Sequence, residues 1–516
     1  MDHTSTFTSI LFDASQATAP SGLAEAPAFF ADLHLDDIVG SITAGRESYA
    51  LACFFYEPLR DVGAITYRHD VFRDLEDDTI LAAIRAFGQE MQIVQRRLAH
   101  ATGTAHVYDR ERWLLSAADA YSAAVDELSV ALRAAHPRSA GLRGLSDYLA
   151  AYMASDAYTS LLADTEHTRT VIAAVRYCLH INGPRVTVTR YAPGPDYSAE
   201  VLATFDKFRQ GGREPYGWRF DQGSDMNHVE AAIAERVARL YPDPFAALHE
   251  YAARHHAFLD PTIVRFEREV QFYVGYRAYI DRVRMGAGLR FCYPEVAPGS
   301  HAVEGSAVFD LALADSLVRE GRGVVTNDIA LAGAERIVVV SGPNQGGKTT
   351  FARAIGQLHH LARIGVPVPG ERLRLPLVDQ IFTHFERQEQ VEDLSSKLED
   401  DLRRIHAILE MATSASLLIM NESFSSTTVD DQLVISRRVM HQIVGLGLLC
   451  VVVTFLDELA GLGPTTVSMV STVDPADDTR RTFEVVRRPP DGLAYAIAIA
   501  QKHRLTYPML KTRLAR

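Results

Sequence analysis

Along the first half of the chain, apolar residues return at helical intervals. From Ile80 they fall at Ile84, Phe87, Met91, Val94 and Leu98, while Arg96 and Arg97 take the opposite side, as on an amphipathic helix. The same spacing recurs over residues 112–132, 145–162 and 227–240, so this half is expected to be packed helices. A two-residue alternation interrupts it at Arg185-Val-Thr-Val-Thr-Arg190, which reads as a strand, and Pro193-Gly194-Pro195 then breaks the pattern. The last helical run, 263–284, is rich in arginine and aromatic residues and long enough to act as a lever or connector.

The second half changes period. Uninterrupted apolar runs at 337–340, 416–420 and 448–453 alternate with helical stretches, the pattern of a parallel sheet covered by helices. The expected architecture is therefore an α/β domain preceded by a mainly α-helical one. Boundaries are expected at a loose leader over 1–28, rich in Ser, Thr, Ala and Pro, then a helical core and lever over 29–295, then the α/β domain over 296–516. Near 180–225 lies a candidate clamp segment: Lys207, Arg209, Arg213 and Arg219 gather around Phe205, Phe208, Tyr216 and Trp218, with a Gly211-Gly212 break. Such a basic, aromatic stretch can grip a phosphate backbone, although many surface loops look similar.

Composition narrows the class. A chain of 516 residues with 47% hydrophobic content can bury substantial cores. The formal charge of -13 argues against nonspecific coating of nucleic acid, yet a local basic groove can sit inside an acidic chain. Cys53, Cys178, Cys292 and Cys450 are scattered, with neither disulfide nor zinc spacing, which suits a reducing cytosol. The Met1-Asp2-His3 opening lacks a basic signal region and no apolar run reaches spanning length, so a cytoplasmic protein without membrane insertion is expected.

The apolar run at 337–340 leads straight into Gly342-Pro343-Asn344-Gln345-Gly346-Gly347-Lys348-Thr349-Thr350, after which the spacing turns helical. This is the G-x4-G-K-[ST] phosphate loop in strand–loop–helix context. Its glycines let backbone N–H groups face phosphate oxygens, Lys348 can reach the terminal phosphates, and the Thr349 hydroxyl can ligate Mg²⁺. ATP and Mg²⁺ are the expected ligands. The run at 416–420 ends in Asn421-Glu422, where a P-loop ATPase carries an acid for the Mg²⁺ shell and then one that polarises the attacking water. Glu422 has the position of the second; as a plain alternative it is a surface carboxylate at a strand end.

On these residues the chain resembles the ATPase domain of MutS-type DNA mismatch-repair proteins. That family's loop reads G-P-N-M-G-G-K-S-T. Thr326-Asn327-Asp328-Ile329 resembles its P-N-D-I, Gly365-Val366-Pro367-Val368-Pro369 its G-x-x-V-P-A, and Asp379-Gln380-Ile381-Phe382-Thr383 its D-x-I-F-T-R. The stretch 412–422 is similar to A-T-x-x-S-L-V-L-L-D-E; Thr427 and Asp431 fall on the Thr and Asp of G-R-G-T-x-x-x-D, and Thr454 with Asp457-Glu458-Leu459-Ala460 falls on T-H-x-x-E-L-A. More weakly, Tyr56-Glu-Pro-Leu-Arg-Asp61 with Ile65, Arg68 and Leu75 resembles the start of the family's helical core, and Asp491-Gly492-Leu493-Ala494-Tyr495 its closing strand.

The resemblance implies an ABC-type P-loop ATPase working as a homodimer, with Glu422 and Lys348 catalytic, Gly342, Pro343, Asn344, Gly346, Gly347, Lys348, Thr349 and Thr350 on nucleotide, and Thr349, Asn421 and Glu422 around the metal. Ser396 and Lys397, in place of the family's S-T-F-x-x-E signature loop, would reach the other subunit's nucleotide. Departures from the pattern are specific: Asn421 stands for an aspartate and removes a charge from the metal shell, Phe455 stands for a histidine near the γ-phosphate, and Val324 stands where an aromatic often stacks on adenine. Phe55-Tyr56-Glu57 imitates the Phe-x-Glu of mismatch readers, but Pro58-Leu59-Arg60-Asp61 follows in the register of the helical core, so a short form without a mismatch-reading domain is expected. No nuclease domain is recognisable after the ATPase. The function implied is slow ATP hydrolysis coupled to binding of DNA by its structure or backbone, in repair or recombination control. The alternatives are a nucleotide-regulated interaction protein with vestigial hydrolysis, and a recombination factor that recognises branched DNA.

Overall fold

The computed structural model describes residues 7–13, 25–192, 226–386, 397–474 and 476–490. The basic aromatic segment from Phe205 to Arg219, Ser396 and the closing Asp491–Tyr495 motif lie outside them. Two compact units emerge: Met1–Phe7, Asp77–Pro137 and Leu142–Glu267 form one; Thr8–Glu76, Arg138–Gly141 and Arg268–Arg516 form the other.

The first unit is built on helices Asp78–Gly103 and Val107–Ala135. The apolar stripe read from the sequence is its core: Ile80, Ile84, Phe87, Met91 and Val94 are all buried, as are Trp113, Tyr121, Leu128 and Leu132 of the second helix. Asp77 caps the first helix by accepting from the Thr79 amide. The single helix expected over 145–162 is instead two, Ala140–Met153 and Asp156–Ala173. Ser155 separates them and accepts from the Tyr158 amide, because an N-cap serine satisfies a first-turn donor more cheaply than a continued helix would. Asn227 and Glu230 form a capping box for His228–Leu240. The strand read at Arg185–Arg190 pairs antiparallel with Tyr177–Asn182 across the two-residue Gly183-Pro184 loop, where Gly183 takes φ 59°.

In the second unit the central sheet has six strands, in the order Ile381–Phe385, Leu417–Asn421, Leu449–Val453, Ile337–Ser341, Thr466–Asp474, Asp477–Arg487. The first five run parallel and the last is antiparallel. Ile337–Ser341 and Leu449–Val453 are buried at every position, which is why both read as unbroken apolar runs. Helix Lys348–Arg363 lies so near the sheet that Gly356 has no room for a side chain: a Cβ there would meet Ile419 Cδ1 at 2.6 Å. A second sheet of four short strands, Glu295–Ala297, Arg372–Pro376, Val303–Val308 and Asn327–Leu331, had no equivalent in the sequence pattern.

Helical residues of this unit form an aromatic cluster. Phe54, Phe55, Phe72, Phe272, Tyr273 and Tyr276 are all buried, and the Phe55 and Phe272 ring centroids lie 4.8 Å apart. Phe55 is thus a core residue of helix Ala52–Tyr56, which leaves its ring no part in wedging beside a base. Arg68, fully buried, donates to the carbonyls of Ile364 at 2.7 Å and Leu11 at 3.1 Å, and Tyr276 donates to Pro367 O at 2.5 Å. The leader is not uniformly loose as expected. Ile10 and Leu11 are completely buried and Ser9 Oγ donates to Glu269 Oε2 at 2.8 Å, so this segment belongs to the core despite its polar neighbours. Among the described residues, no helix is long and apolar enough to cross a membrane.

Candidate functional site

Parallel strands place their carboxyl ends on one edge of the sheet, where the chain must leave through loops, and this edge is where α/β sheets bind ligands. Ile337–Ser341 ends there in the glycine loop, and Leu417–Asn421, two strands away, ends in Asn421-Glu422. Leu449–Val453 between them ends before Thr454 and Phe455. The sheet order therefore brings together residues that are far apart in the chain.

The loop's glycines are steric necessities. Gly342 has φ 116° and its missing Cβ would stand 2.7 Å from Ser471 O; a Cβ on Gly346 would collide with Ser471 Oγ. Gly347, at φ 93°, is the N-cap of helix Lys348–Arg363. Ser471 Oγ donates to Gly346 O at 2.6 Å, and Arg481 Nε donates to Asn344 O at 3.2 Å, so the neighbouring strands brace the loop from outside. The helix start leaves first-turn N–H groups and the positive end of the dipole facing the cleft, an arrangement suited to a phosphate chain.

Lys348 is buried and donates to the loop's own carbonyls, Gly342 O at 2.9 Å and Pro343 O at 3.1 Å. Its Nζ also sits 4.3 Å from the centroid of the half-exposed Phe455 ring. Burial lowers its pKa from the ordinary lysine value, an effect opposed by Glu422 and reinforced by Arg481. Thr349 Oγ1 donates to Asn421 Oδ1 at 2.8 Å. Glu422 begins the turn beyond the strand in a left-handed conformation, φ 50°, with its amide donating to Val453 O at 2.9 Å. Strained non-glycine backbone of this kind concentrates at functional sites.

Lys348, Thr349 and Glu422 share one cleft of about 350 Å³, whose polar lining also includes Asn344, Thr350, Asp310, Arg322 and Asn327. Its apolar lining includes Val308, Phe309, Leu313, Leu317, Val324 and Phe483. A cleft that joins a phosphate-type loop to apolar side chains fits a nucleotide. The donor set also fits a small hard cation: a hydroxyl and an amide oxygen are oxygen ligands of the kind Mg²⁺ takes, and Mg²⁺ is ordinarily held by few protein groups with phosphate and water completing its shell. Asn421 makes that pair neutral.

Several predicted residues fall elsewhere. Lys397, first residue of helix Lys397–Met411, is ion-paired with Glu386 of the same chain. That lysine holds the Glu386 carboxyl below the usual range. Thr428 caps helix Val429–Leu446 through the Asp431 amide, with Thr427 Oγ1 3.4 Å from the Asp431 carboxylate. Asp379 binds Thr413 Oγ1 at 2.5 Å and Ser416 Oγ at 2.7 Å, tying the sheet edge ahead of Leu417–Asn421. Sequence reasoning missed Ser471, Phe483 and the buried His384, whose Nδ1 lies 2.8 Å from Oγ of Ser423, the residue after Glu422. No periodicity marks such residues, since their role follows from strand order alone.

Residues 338–508 match the family model described as MutS domain V. The chain is 30% identical over 189 residues to Endonuclease MutS2 of Thermus thermophilus, covering 36% of this chain and 25% of that protein. It is 29% identical over 189 residues to Endonuclease MutS2 of Gemmatimonas aurantiaca, covering 36% and 23%. To DNA mismatch repair protein MutS of Thermotoga maritima it is 30% identical over 138 residues, 27% of this chain and 17% of that one. The matched region spans about a quarter or less of these relatives' length.

Proposed function

We propose, from the premise that this chain is a MutS-family protein through its domain V, that it binds and slowly hydrolyses ATP and couples nucleotide state to DNA binding in repair or recombination control. The observation that carries the reading is the Thr349–Asn421 hydrogen bond beside Lys348 and Glu422 in a single cleft at the carboxyl edge of the sheet. On this reading the second unit is an ABC-type P-loop ATPase and the helical first unit is the part that nucleotide moves. The similarity to DNA mismatch repair protein MutS supports DNA as the partner.

Thr349 and Asn421 would hold Mg²⁺, which when bound neutralises charge on the phosphate oxygens. Lys348 must exchange two loop carbonyls and the Phe455 ring for a terminal phosphate oxygen. The amides of the glycine loop and the helix start orient the phosphate chain, and the Glu422 carboxyl orients the attacking water by accepting a hydrogen bond from it. Ser396 and Lys397 would complete the site of a second copy, making the working form a homodimer.

Steady-state ATP hydrolysis by the wild type beside Glu422→Gln and Lys348→Ala, with and without duplex and branched DNA, tests this. Turnover that Glu422→Gln abolishes and DNA alters is the expected result. Equal silence of all three proteins, with ATP still bound by the wild type, would instead establish the vestigial-hydrolysis reading that the neutral Asn421 favours. DNA competition must record salt dependence, because backbone contacts release counterions.

A further inference from the structure

We infer that His384 is a positioning residue for hydrolysis: it ties the turn that carries Glu422 to the helix Lys397–Met411 and so fixes the backbone from which the Glu422 carboxyl meets the cleft. This role rests on the ATPase reading of the cleft, in which Glu422 orients the attacking water. Glu422 and Phe424 both lie in the left-handed region, at φ 50° and φ 63°, and only Ser423 separates them. Two such residues so close together persist only where the surroundings hold the turn. The Glu422 amide donates to Val453 O at 2.9 Å and Gln432 Nε2 donates to Ser423 O at 2.9 Å, which fixes the main chain at two points. The side chains of the turn are held by His384. The Ser423 hydroxyl lies 2.8 Å from its Nδ1, and the buried Phe424 ring has its centroid 5.6 Å from that of the imidazole.

The partners of the imidazole place its proton. Nε2 lies 3.1 Å from Asp401 O of the helix, and a carbonyl only accepts, so Nε2 carries the hydrogen. Nδ1 is then the acceptor and the Ser423 hydroxyl donates to it; the other acceptor near that hydroxyl, His384 O, is 3.5 Å away. Burial, first among the causes, lowers the His384 pKa to about 4, which keeps the ring neutral and this pattern of one donor and one acceptor intact near neutral pH. A second tie runs alongside. Glu386, two residues on, accepts from Ser425 Oγ at 3.1 Å and is ion-paired with Lys397 at the start of the same helix. The strand end thus bridges turn and helix twice, at positions two residues apart on strand and turn and one helical turn apart on the helix. Filling space at a completely buried position does not call for a histidine, since an apolar residue of similar size needs no partners there. Holding a turn does, because a buried network with both ring nitrogens satisfied selects one arrangement of the groups it joins.

The test measures steady-state hydrolysis and equilibrium binding of ATP with Mg²⁺ for wild type, His384→Leu, Ser423→Ala, the two combined, and Ser423→Thr, which keeps the hydroxyl. His384→Leu and Ser423→Ala are each expected to lower kcat by about ten- to a hundredfold with ATP affinity unchanged, because a small displacement of an orienting group acts on the chemical step. The combined variant should lose no more than either alone, since residues acting through one link are not additive, and Ser423→Thr should keep turnover. If loss of the buried ring prevents His384→Leu from folding, Ser423→Ala beside Ser423→Thr reads the same link from the turn. Wild-type kcat in either single variant overturns the inference; so does ATP affinity that falls along with kcat, or losses that multiply in the combined variant. A wild type that binds ATP without turning it over would remove the hydrolysis reading itself and the inference with it, whereas turnover that the variants leave untouched overturns the inference alone.

Discussion

Single atoms decide how this site departs from its relatives' pattern. At Asn421 an amide oxygen receives the Thr349 hydroxyl at 2.8 Å, a geometry that a carboxylate could adopt without any movement. What changes is charge, and hydrogen bonds to an ionised oxygen are roughly twice as strong as neutral ones. Asn421→Asp is therefore expected to lower the Mg²⁺ concentration for half-maximal ATP hydrolysis by roughly tenfold, equivalent to about 1.4 kcal/mol; a Mg²⁺ titration in which the two proteins coincide would show that Asn421 does not face the metal. Lys348 raises a different question. Its two carbonyl bonds and its approach to Phe455 engage the same ammonium that a terminal phosphate would use, so they compete with that contact. Because the Phe455 ring is half-exposed, the cation–π interaction lies at the lower end of its range, about 0.5–1 kcal/mol. Phe455→Leu should accordingly tighten ATP two- to fivefold in equilibrium binding, and weaker binding would mean the ring assists the nucleotide instead.

At the scale of elements, the helix Lys348–Arg363 is where the phosphate loop meets the core. It carries His359 and His360 into complete burial, with only one ring nitrogen of each hydrogen-bonded: His359 Nδ1 to Ile355 O at 2.9 Å and His360 Nε2 to Phe55 O at 2.8 Å. Burial, first among the causes, lowers their pKa to about 4 and about 3. Since the folded values lie below the ordinary histidine value, the unfolded chain binds the extra protons. The stability contributed is fully present above about pH 6.5 and is lost as pH falls toward 3, at up to about 1.4 kcal/mol per pH unit for each histidine. Asp310, whose carboxyl burial raises, works in the opposite sense. Urea unfolding between pH 6.5 and 5, above the range where ordinary carboxylates titrate, should show a slope that His360→Gln reduces; an unchanged slope would mean the ring is not held neutral. This helix and the three central strands were legible in the sequence because burial on both faces writes a continuous apolar run, and the amphipathic helices because one buried face writes a 3.6-residue period. The four-stranded sheet was not, because strands as short as Glu295–Ala297 carry too few residues to show any period. The site divides in the same way. Gly342 to Thr350 and Asn421-Glu422 could be read because their chemistry is contiguous, whereas Ser471, Phe483 and His384 join it only through strand order and a bulge.

For the whole molecule the question is how one cleft could act on a partner. On the proposed homodimer, two bound nucleotides and two copies of the chain would bury the cleft only while the triphosphate is intact, since its terminal charge is what Lys397 of the second copy would meet. Lys397 already pairs with Glu386 of its own chain, so association must replace one ion pair by another. On the proposed homodimer, that exchange would make the interface sensitive to salt and to the state of the nucleotide, so that association would be conditional. A variant that binds ATP but cannot orient water should then hold the associated form longest. Light scattering of Glu422→Gln with saturating ATP and Mg²⁺ is expected to give a dimer of twice the 57.0 kDa chain mass, reverting to monomer with ADP, while Lys348→Ala stays monomeric with either nucleotide. Lys397→Ala should weaken the ATP-dependent dimer about tenfold, the scale expected for removing one charge pair across an interface. A Glu422→Gln protein that remains monomeric with bound ATP would leave the cleft a self-contained site and remove the second copy from the mechanism.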